Sequence, residues 1–368
     1  MKRHTQTTNT QSNNAEGTMA FRQLDATKRS TKASALIKSF EHRIVGQQAA
    51  KDALVNLVEK FQSGMYDHTK PIGSLLFLGP TGVGKTGTAE AFTEGLFKSP
   101  LRMMKVDCAE FQHSHEIAKL VGSPPGYLGH RETHPFFTNA SLLAARSGLD
   151  GKEIMPFTIV LFDEIEKASD ALWNLLLGIL DKGSLTTGTN EKVDFTPTII
   201  VMTSNVGAAD MNTTDAFGFT QEKVTQDDAK LEAIAKSAAR KKFMPEFLNR
   251  LDHVVMFKSL TPEDMKSLLP LALEKVQDRI ILGLGTPLFE LRVEEAGVAR
   301  LLEEGYDSRY NARFLNRVVE KNVAEPLTRL VATEQILDGD IIVCDYVDGE
   351  WRYVSVGNMK ANAATQGS

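Results

Sequence analysis

The run Gly79-Pro80-Thr81-Gly82-Val83-Gly84-Lys85-Thr86 combines glycines, a lysine and a hydroxyl in the spacing Gly-x-x-x-x-Gly-Lys-Thr. Glycines let successive backbone N–H groups turn inward, which makes a concave cradle for phosphate at the positive end of a helix. Lys85 adds a point charge suited to β- and γ-phosphates, and the Thr86 hydroxyl is a ligand for Mg²⁺. Chance alone supplies such a match in about 1% of chains of this length at average composition. A second constellation lies downstream. Thr158-Ile159-Val160-Leu161-Phe162 is an apolar run that ends in the carboxylates Asp163 and Glu164. Asp163 suits the Mg²⁺ shell, and Glu164 can orient and deprotonate an attacking water. Adjacent acids are common on surfaces, but after a buried strand and a phosphate loop they read as the hydrolytic half of an ATP and Mg²⁺ site.

Those residues need a strand before the glycine loop, a helix after it, and a second strand whose C-terminal edge delivers the carboxylates beside the loop. The sequence provides them. Ser74–Leu78 is a short apolar run, and a helix is expected from Lys85 to Phe97. Met103–Cys108, Phe157–Phe162, Thr198–Thr203 and Val254–Phe257 are further strand-like runs. Strands alternating with helices predict an α/β fold with a parallel sheet covered on both faces. Ahead of them, apolar residues at helical spacing predict a helix from Ala49 to Phe61. Near residue 260 the texture changes. Thr261-Pro262-Glu263-Asp264 reads as a helix start, with helical patterns to Arg279, from Val293 to Glu304 and from Asn311 to Val331. Ile341–Val347 and Trp351–Val356, joined at Asp348-Gly349, read as a closing hairpin. The organisation expected is a disordered polar leader over 1–31, a large α/β nucleotide-binding domain over 32–259, a smaller mainly helical domain over 260–356, and a flexible tail over 357–368.

Four further motifs occur in order: Asp163-Glu164-Ile165-Glu166-Lys167-Ala168, Val193-Asp194-Phe195, Met202-Thr203-Ser204-Asn205, and Pro245-Glu246-Phe247-Leu248-Asn249-Arg250-Leu251-Asp252. Together with the phosphate loop they resemble the Clp-type AAA+ protein unfoldases, specifically the second ATPase module of ClpA, ClpB and ClpC, over residues 40 to 347. The resemblance implies an AAA+ fold, ATP held at subunit interfaces, and a ring, typically a homohexamer. It implies that Asn205 is the sensor that positions the attacking water, that Arg250 is the arginine finger reaching a neighbouring subunit's γ-phosphate, and that Ile44 and Val45 pack on adenine. A guanidinium suits the finger because it is always charged and offers a rigid fork to phosphate oxygens. The bland alternative for Arg250 is a surface pair with Asp252. In Tyr306-Asp307-Ser308-Arg309-Tyr310-Asn311-Ala312-Arg313, Arg313 resembles the second sensor, although the family usually has Gly-Ala-Arg-Pro where this chain has Asn311-Ala312-Arg313-Phe314.

Gly122-Ser123-Pro124-Pro125-Gly126-Tyr127-Leu128-Gly129 resembles the pore loop with which unfoldases grip a threaded polypeptide. The gripping group is expected at Gly126, Tyr127, Leu128 and Gly129, because an aromatic on a loop gives broad, sequence-tolerant contact. Phe217-Gly218-Phe219 falls where peptidase-partnered unfoldases carry a docking tripeptide. The stretch from His130 to Pro156 departs from the family and carries an extra turn at Ser147–Lys152. His130 and His134 are at i, i+4 without the H-E-x-x-H order, so they read as loop polarity rather than a zinc site, as do His113 and His115.

Composition narrows the field further. The 368 residues carry 42 basic and 47 acidic side chains, a net charge of −5 that argues against a surface built to hold nucleic acid. Cys108 and Cys344 are the only cysteines, which leaves no disulfide framework or zinc ribbon, and both read as buried small hydrophobes. No apolar stretch is long enough to span a membrane and no secretory signal opens the chain, so a cytoplasmic protein is expected. The sequence also lacks a recognisable adaptor domain, first ATPase module or coiled-coil arm, which points to a single ring. The function expected is an ATP-driven unfoldase acting on unfolded or tagged proteins, alone or with a ring peptidase. The alternatives are a loader-type AAA+ ATPase acting on nucleic acid and a nucleotide-dependent assembly switch.

Overall fold

The central strands carry apolar residues on both faces, and a chain can bury both faces only by covering a parallel sheet with helices on each side. The computed structural model describes residues 24–123, 134–148, 151–207, 224–284, 288–307 and 310–358. Gly126, Tyr127, Leu128 and Gly129, the tripeptide Phe217, Gly218 and Phe219, and most of the leader and tail lie outside these residues.

Helices α1 (Thr31–Glu41) and α2 (Gln48–Ser63) precede β1 (Gly73–Leu78), α3 (Lys85–Phe97) and β2 (Met103–Asp107). Next come α4 (Asn139–Arg146), β3 (Thr158–Asp163) and α5 (Asp170–Lys182). A short hairpin of β4 (Ser184–Thr186) and β5 (Lys192–Asp194) leads to β6 (Thr198–Ser204), α6 (Val224–Lys242) and β7 (His253–Met256). The large sheet has the order β2-β3-β6-β1-β7, and every neighbouring pair is parallel. Its inner strands are almost wholly buried. Alternation sorts their side chains by face. Leu75, Phe77, Ile159, Leu161, Ile199 and Val201 pack with Leu36, Phe40, Leu54 and Phe92 of α1 to α3. Leu76, Leu78, Val160, Phe162, Ile200 and Met202 pack on the other side with Leu172, Trp173 and Leu176 of α5.

A third apolar cluster fills the C-terminal part, around Leu269, Val276, Phe289, Leu301, Leu315, Val323 and Leu327. It is built by α7 (Pro262–Leu284), β8 (Phe289–Val293), α8 (Glu295–Gly305), α9 (Ala312–Val319), α10 (Glu325–Ala332), β9 (Asp340–Val347) and β10 (Glu350–Asn358). The closing hairpin forms as its turn chemistry predicts. Asp348 and Gly349 have φ of 54° and 87°, the two positive values that a type I′ turn requires.

Two features differ from expectation. Phe289–Val293 is a strand, paired in parallel with β9, and the helix that follows starts at Glu295 rather than Val293. The helical stretch after Asn311 is interrupted by a π-turn at Glu320–Ala324, between α9 and α10. Pro326 explains the interruption, because it has no N–H to offer the Asn322 carbonyl one turn earlier. That carbonyl instead accepts from the Tyr353 hydroxyl of β10 at 2.6 Å.

Candidate nucleotide site

Strand β1 ends at Leu78, and the glycine loop leads from it to the start of α3 at Lys85. Gly79, Gly82 and Gly84 take φ of 150°, 81° and 98°, conformations that a side chain strongly disfavours. Space adds a second constraint at Gly82, where a Cβ would lie 2.2 Å from the Tyr310 carbonyl oxygen. The loop forms one wall of a cleft of ≈ 370 Å³, a size typical of small-molecule sites. Its lining combines the apolar Ile44, Val45, Leu268, Leu271 and Leu315 with the polar groups around Lys85.

Lys85 is only 7% exposed, yet all three of its N–H donors are used. Nζ donates to the Gly79 and Pro80 carbonyls at 2.7 and 2.6 Å and to Asn205 Oδ1 at 2.9 Å. Burial pulls its ammonium down to about 8, against the opposing pull of Glu166 and Asp163. The carboxylate at the end of β3 is held just as firmly. Asp163 Oδ1 accepts from Thr86 Oγ1 at 2.9 Å and from Thr203 Oγ1, and Lys105 lies 3.3 Å from Oδ2. Thr86 and Asp163 therefore present hard oxygens side by side, a donor set that fits Mg²⁺.

Glu164 adopts φ 56° and ψ 49°, a left-handed conformation that few residues other than glycine accept and that is a mark of functional sites. Its N–H donates to Thr203 Oγ1 at 3.0 Å. One carboxylate oxygen accepts from Asn205 Nδ2 at 3.3 Å and the other pairs with Lys167. Asn205 is thus the hub of the site, with its oxygen toward Lys85 and its nitrogen toward the acids. Glu166 fixes that orientation, accepting from the Asn205 backbone N–H at 3.1 Å and from Nδ2 at 3.2 Å. Sequence reasoning placed Glu166 and Thr203 in motifs without giving them roles. Only the parallel register of β3 on β6, with Phe162 opposite Met202, brings residues 163–166 beside 203–205.

Arg313 also lines the cleft. Arg250 does not. It follows a short helical turn at Pro245–Leu248 and pairs with Glu246 at 2.8 Å and with Asp181 of α5. Asp252, the partner suggested by proximity in sequence, instead ties β1 to β7: it accepts from the Ser74 N–H at 2.8 Å and from Lys60 at 3.1 Å. The cysteines lie outside this chemistry. Both are buried, and burial pushes the Cys344 thiol up to about 12 and the Cys108 thiol higher still. No cluster of metal-ligating His, Cys, Asp or Glu occurs among the described residues, nor any helix long and apolar enough to cross a membrane.

A phosphate loop on a parallel sheet, an acid pair at the end of β3, one strand removed from β1 across β6, and a C-terminal helical part that lines the same cleft define a P-loop ATPase module. Comparison with known proteins narrows this. Residues 70–254 match the AAA domain family (Cdc48 subfamily), and residues 260–344 match the C-terminal, D2-small domain of ClpB protein. The chain belongs to the AAA+ ATPases, in the branch that includes the Clp proteins and Hsp104. It is 34% identical, over 321 residues, to the ATP-dependent Clp protease ATP-binding subunit ClpC of Staphylococcus saprophyticus, covering 86% of this chain and 36% of that protein. Its identity to ClpC of Staphylococcus aureus strain USA300 is also 34%, over 330 residues that make up 88% of this chain and 38% of that one. The chain therefore spans little more than a third of the length of these curated relatives. A closed-state cryo-EM reconstruction of Hsp104 with ATPγS and FITC casein superposes with a TM-score of 0.72 at 27% identity, over 88% of this chain and 52% of that one.

Proposed function

We propose that the chain hydrolyses ATP in the Lys85–Glu164 cleft and uses the cycle to thread polypeptide through the pore of a homohexameric ring. The observation that carries this reading is the network in which Asn205 joins the buried Lys85 ammonium to the Glu164 carboxylate. Lys85 and the N–H groups of the loop from Gly79 to Thr86 hold the β- and γ-phosphates, while Ile44 and Val45, which line the same cleft, hold adenine. Thr86 and Asp163 hold Mg²⁺, which when bound neutralises phosphate charge. Glu164 takes the proton of the attacking water, Asn205 positions that water, and Arg313 approaches the phosphates from the same chain. Arg250 serves the site of the neighbouring subunit, consistent with its place outside its own cleft.

For the work done with this energy, the relatives supply the support. The ClpC proteins are named as ATP-binding subunits of an ATP-dependent protease, which favours a ring peptidase docking at Phe217, Gly218 and Phe219. Hsp104 was imaged with casein, which favours an unfolded protein substrate gripped by Tyr127 within Gly126–Gly129. In this reading residues 32–259 and 260–356 are the two lobes that move against each other, and the protein acts in the cytoplasm.

The test is turnover with and without unfolded protein, and separately with DNA. Unfolded protein should stimulate hydrolysis and DNA should not. Glu164→Gln should bind ATP while losing about 10²–10³ in turnover. Tyr127→Ala should keep basal hydrolysis and lose unfolding of a tagged reporter, whereas Tyr127→Phe should retain it. Stimulation by DNA alone would favour a loader, and binding without turnover a switch.

A further inference from the structure

Asn311 has φ 48° and ψ −135°, a backbone conformation that is relaxed for glycine and strained for any residue with a Cβ. Its side chain is 1% exposed, and its carboxamide reaches in two directions. Oδ1 accepts from the Leu260 N–H at 3.0 Å, in the link between β7 and α7. Nδ2 donates to the Thr81 carbonyl at 3.3 Å, in the phosphate loop. Its neighbours continue the contact. Ala312 N–H donates to the Gly82 carbonyl at 3.2 Å, and Gly82 lies so close to Tyr310 that no side chain fits between them. Two residues further on, Arg313 lines the cleft.

A strained backbone persists only where its surroundings over-determine it. Glycine would remove the strain here and would also remove the carboxamide's bonds to Leu260 and Thr81. We propose that Asn311 is a positioning residue for the nucleotide site: its carboxamide pins the Thr81 carbonyl to the Leu260 amide, and so fixes the phosphate loop against the helix that carries Arg313. This rests on the reading of the cleft as a nucleotide site. A ligand that touches both the loop and Arg313 binds more tightly when the two are already docked, because less ordering remains to be done on binding.

The experiment is titration of a fluorescent ATP analogue, with thermal melts alongside, on the wild-type chain and the Asn311→Gly, Asn311→Asp and Lys85→Ala variants at one chain concentration. Asn311→Gly should keep or raise the melting temperature while its dissociation constant rises about tenfold, the scale of one to two net hydrogen bonds. Asn311→Asp keeps the acceptor for Leu260 but turns a carboxylate toward the Thr81 carbonyl, so it should lose at least as much affinity. Wild-type affinity in Asn311→Gly would overturn the inference, and so would a parallel fall of affinity and melting temperature, the signature of a merely structural residue. A wild-type chain that binds no better than Lys85→Ala would overturn the nucleotide reading itself.

Discussion

The cleft under the phosphate loop and the corner that carries Arg250 are both charged, and they hold their charges differently. In the cleft, Lys85, Asp163, Glu164 and Asn205 bond to one another and to backbone groups. Removing one partner there strands buried donors or acceptors, each costing about 1–3 kcal/mol. At the corner, the acids that pair with Arg250 are 38% and 61% exposed, and such surface pairs contribute about 0–1 kcal/mol. The interior half of the site is preorganised by its own chain. The outer arginine is held by bonds it can exchange cheaply, which suits the role proposed for it at a neighbouring subunit.

The sharpest way to break this contrast is to remove each arginine in turn. Arg250→Ala should keep nucleotide affinity and lose on the order of 10³ in turnover, the lower end of what an arginine finger supplies. Mixed with Glu164→Gln, it should regain activity, because some interfaces then pair an intact Glu164 with an intact Arg250. Arg313→Ala should instead weaken binding within its own chain, and no mixing with Glu164→Gln should restore that affinity. Turnover lost in Arg250→Ala and unrecovered in rings verified as mixed would refute a role across the interface.

A second variant probes how far the preorganisation extends. Glu166 reaches the phosphate loop through Asn205, from which it accepts two bonds. Glu166→Ala should lower kcat by about tenfold to a hundredfold through misplacement of the Asn205 amide, with little change in KM. Glu166→Gln keeps an acceptor oxygen at the same reach and should restore most of the rate. Equal losses in both variants would make charge, rather than orientation, the property that matters.

What the sequence made legible follows the same division. The phosphate loop and the acid-tipped strand are contiguous, so each carries its chemistry and its element together, and the helix from Lys85 to Phe97 begins and ends as its pattern predicts. The bonds from Glu166 and Thr203 bridge about 40 residues and depend on the pairing of β3 with β6. No local pattern encodes a pairing of that kind. Strand β8 is hard to read in the sequence for a related reason. It is short and partly exposed, and its partner β9 is parallel and distant, with no tight turn to announce it. The π-turn needed knowledge that Tyr353 would arrive at the Asn322 carbonyl, although Pro326 marked the position where a partner was required.

The smallest effect on the site is expected two residues from Arg250. Asp252 accepts from the Ser74 N–H and hydroxyl at 2.8 and 2.9 Å, and its own N–H donates to the Ser74 hydroxyl at 3.1 Å. This reciprocal clamp fixes the start of β1 beside the start of β7. Asp252→Ala leaves the Ser74 donors without their carboxylate and should cost about 2 kcal/mol, the typical loss for hydrogen bonds to a charged group. In a domain of this size that corresponds to a fall of roughly 4–8 °C in melting temperature. Nucleotide affinity and kcat at a temperature well below the transition should stay within about twofold of wild type, an interval of ~0.4 kcal/mol. Ser74→Ala should give a similar thermal loss, and the double variant should lose less than the sum, because the two share one interaction. A turnover defect in Asp252→Ala as deep as that of Arg250→Ala would show that the corner works as one catalytic unit and would erase the distinction between its anchoring acid and its reaching arginine.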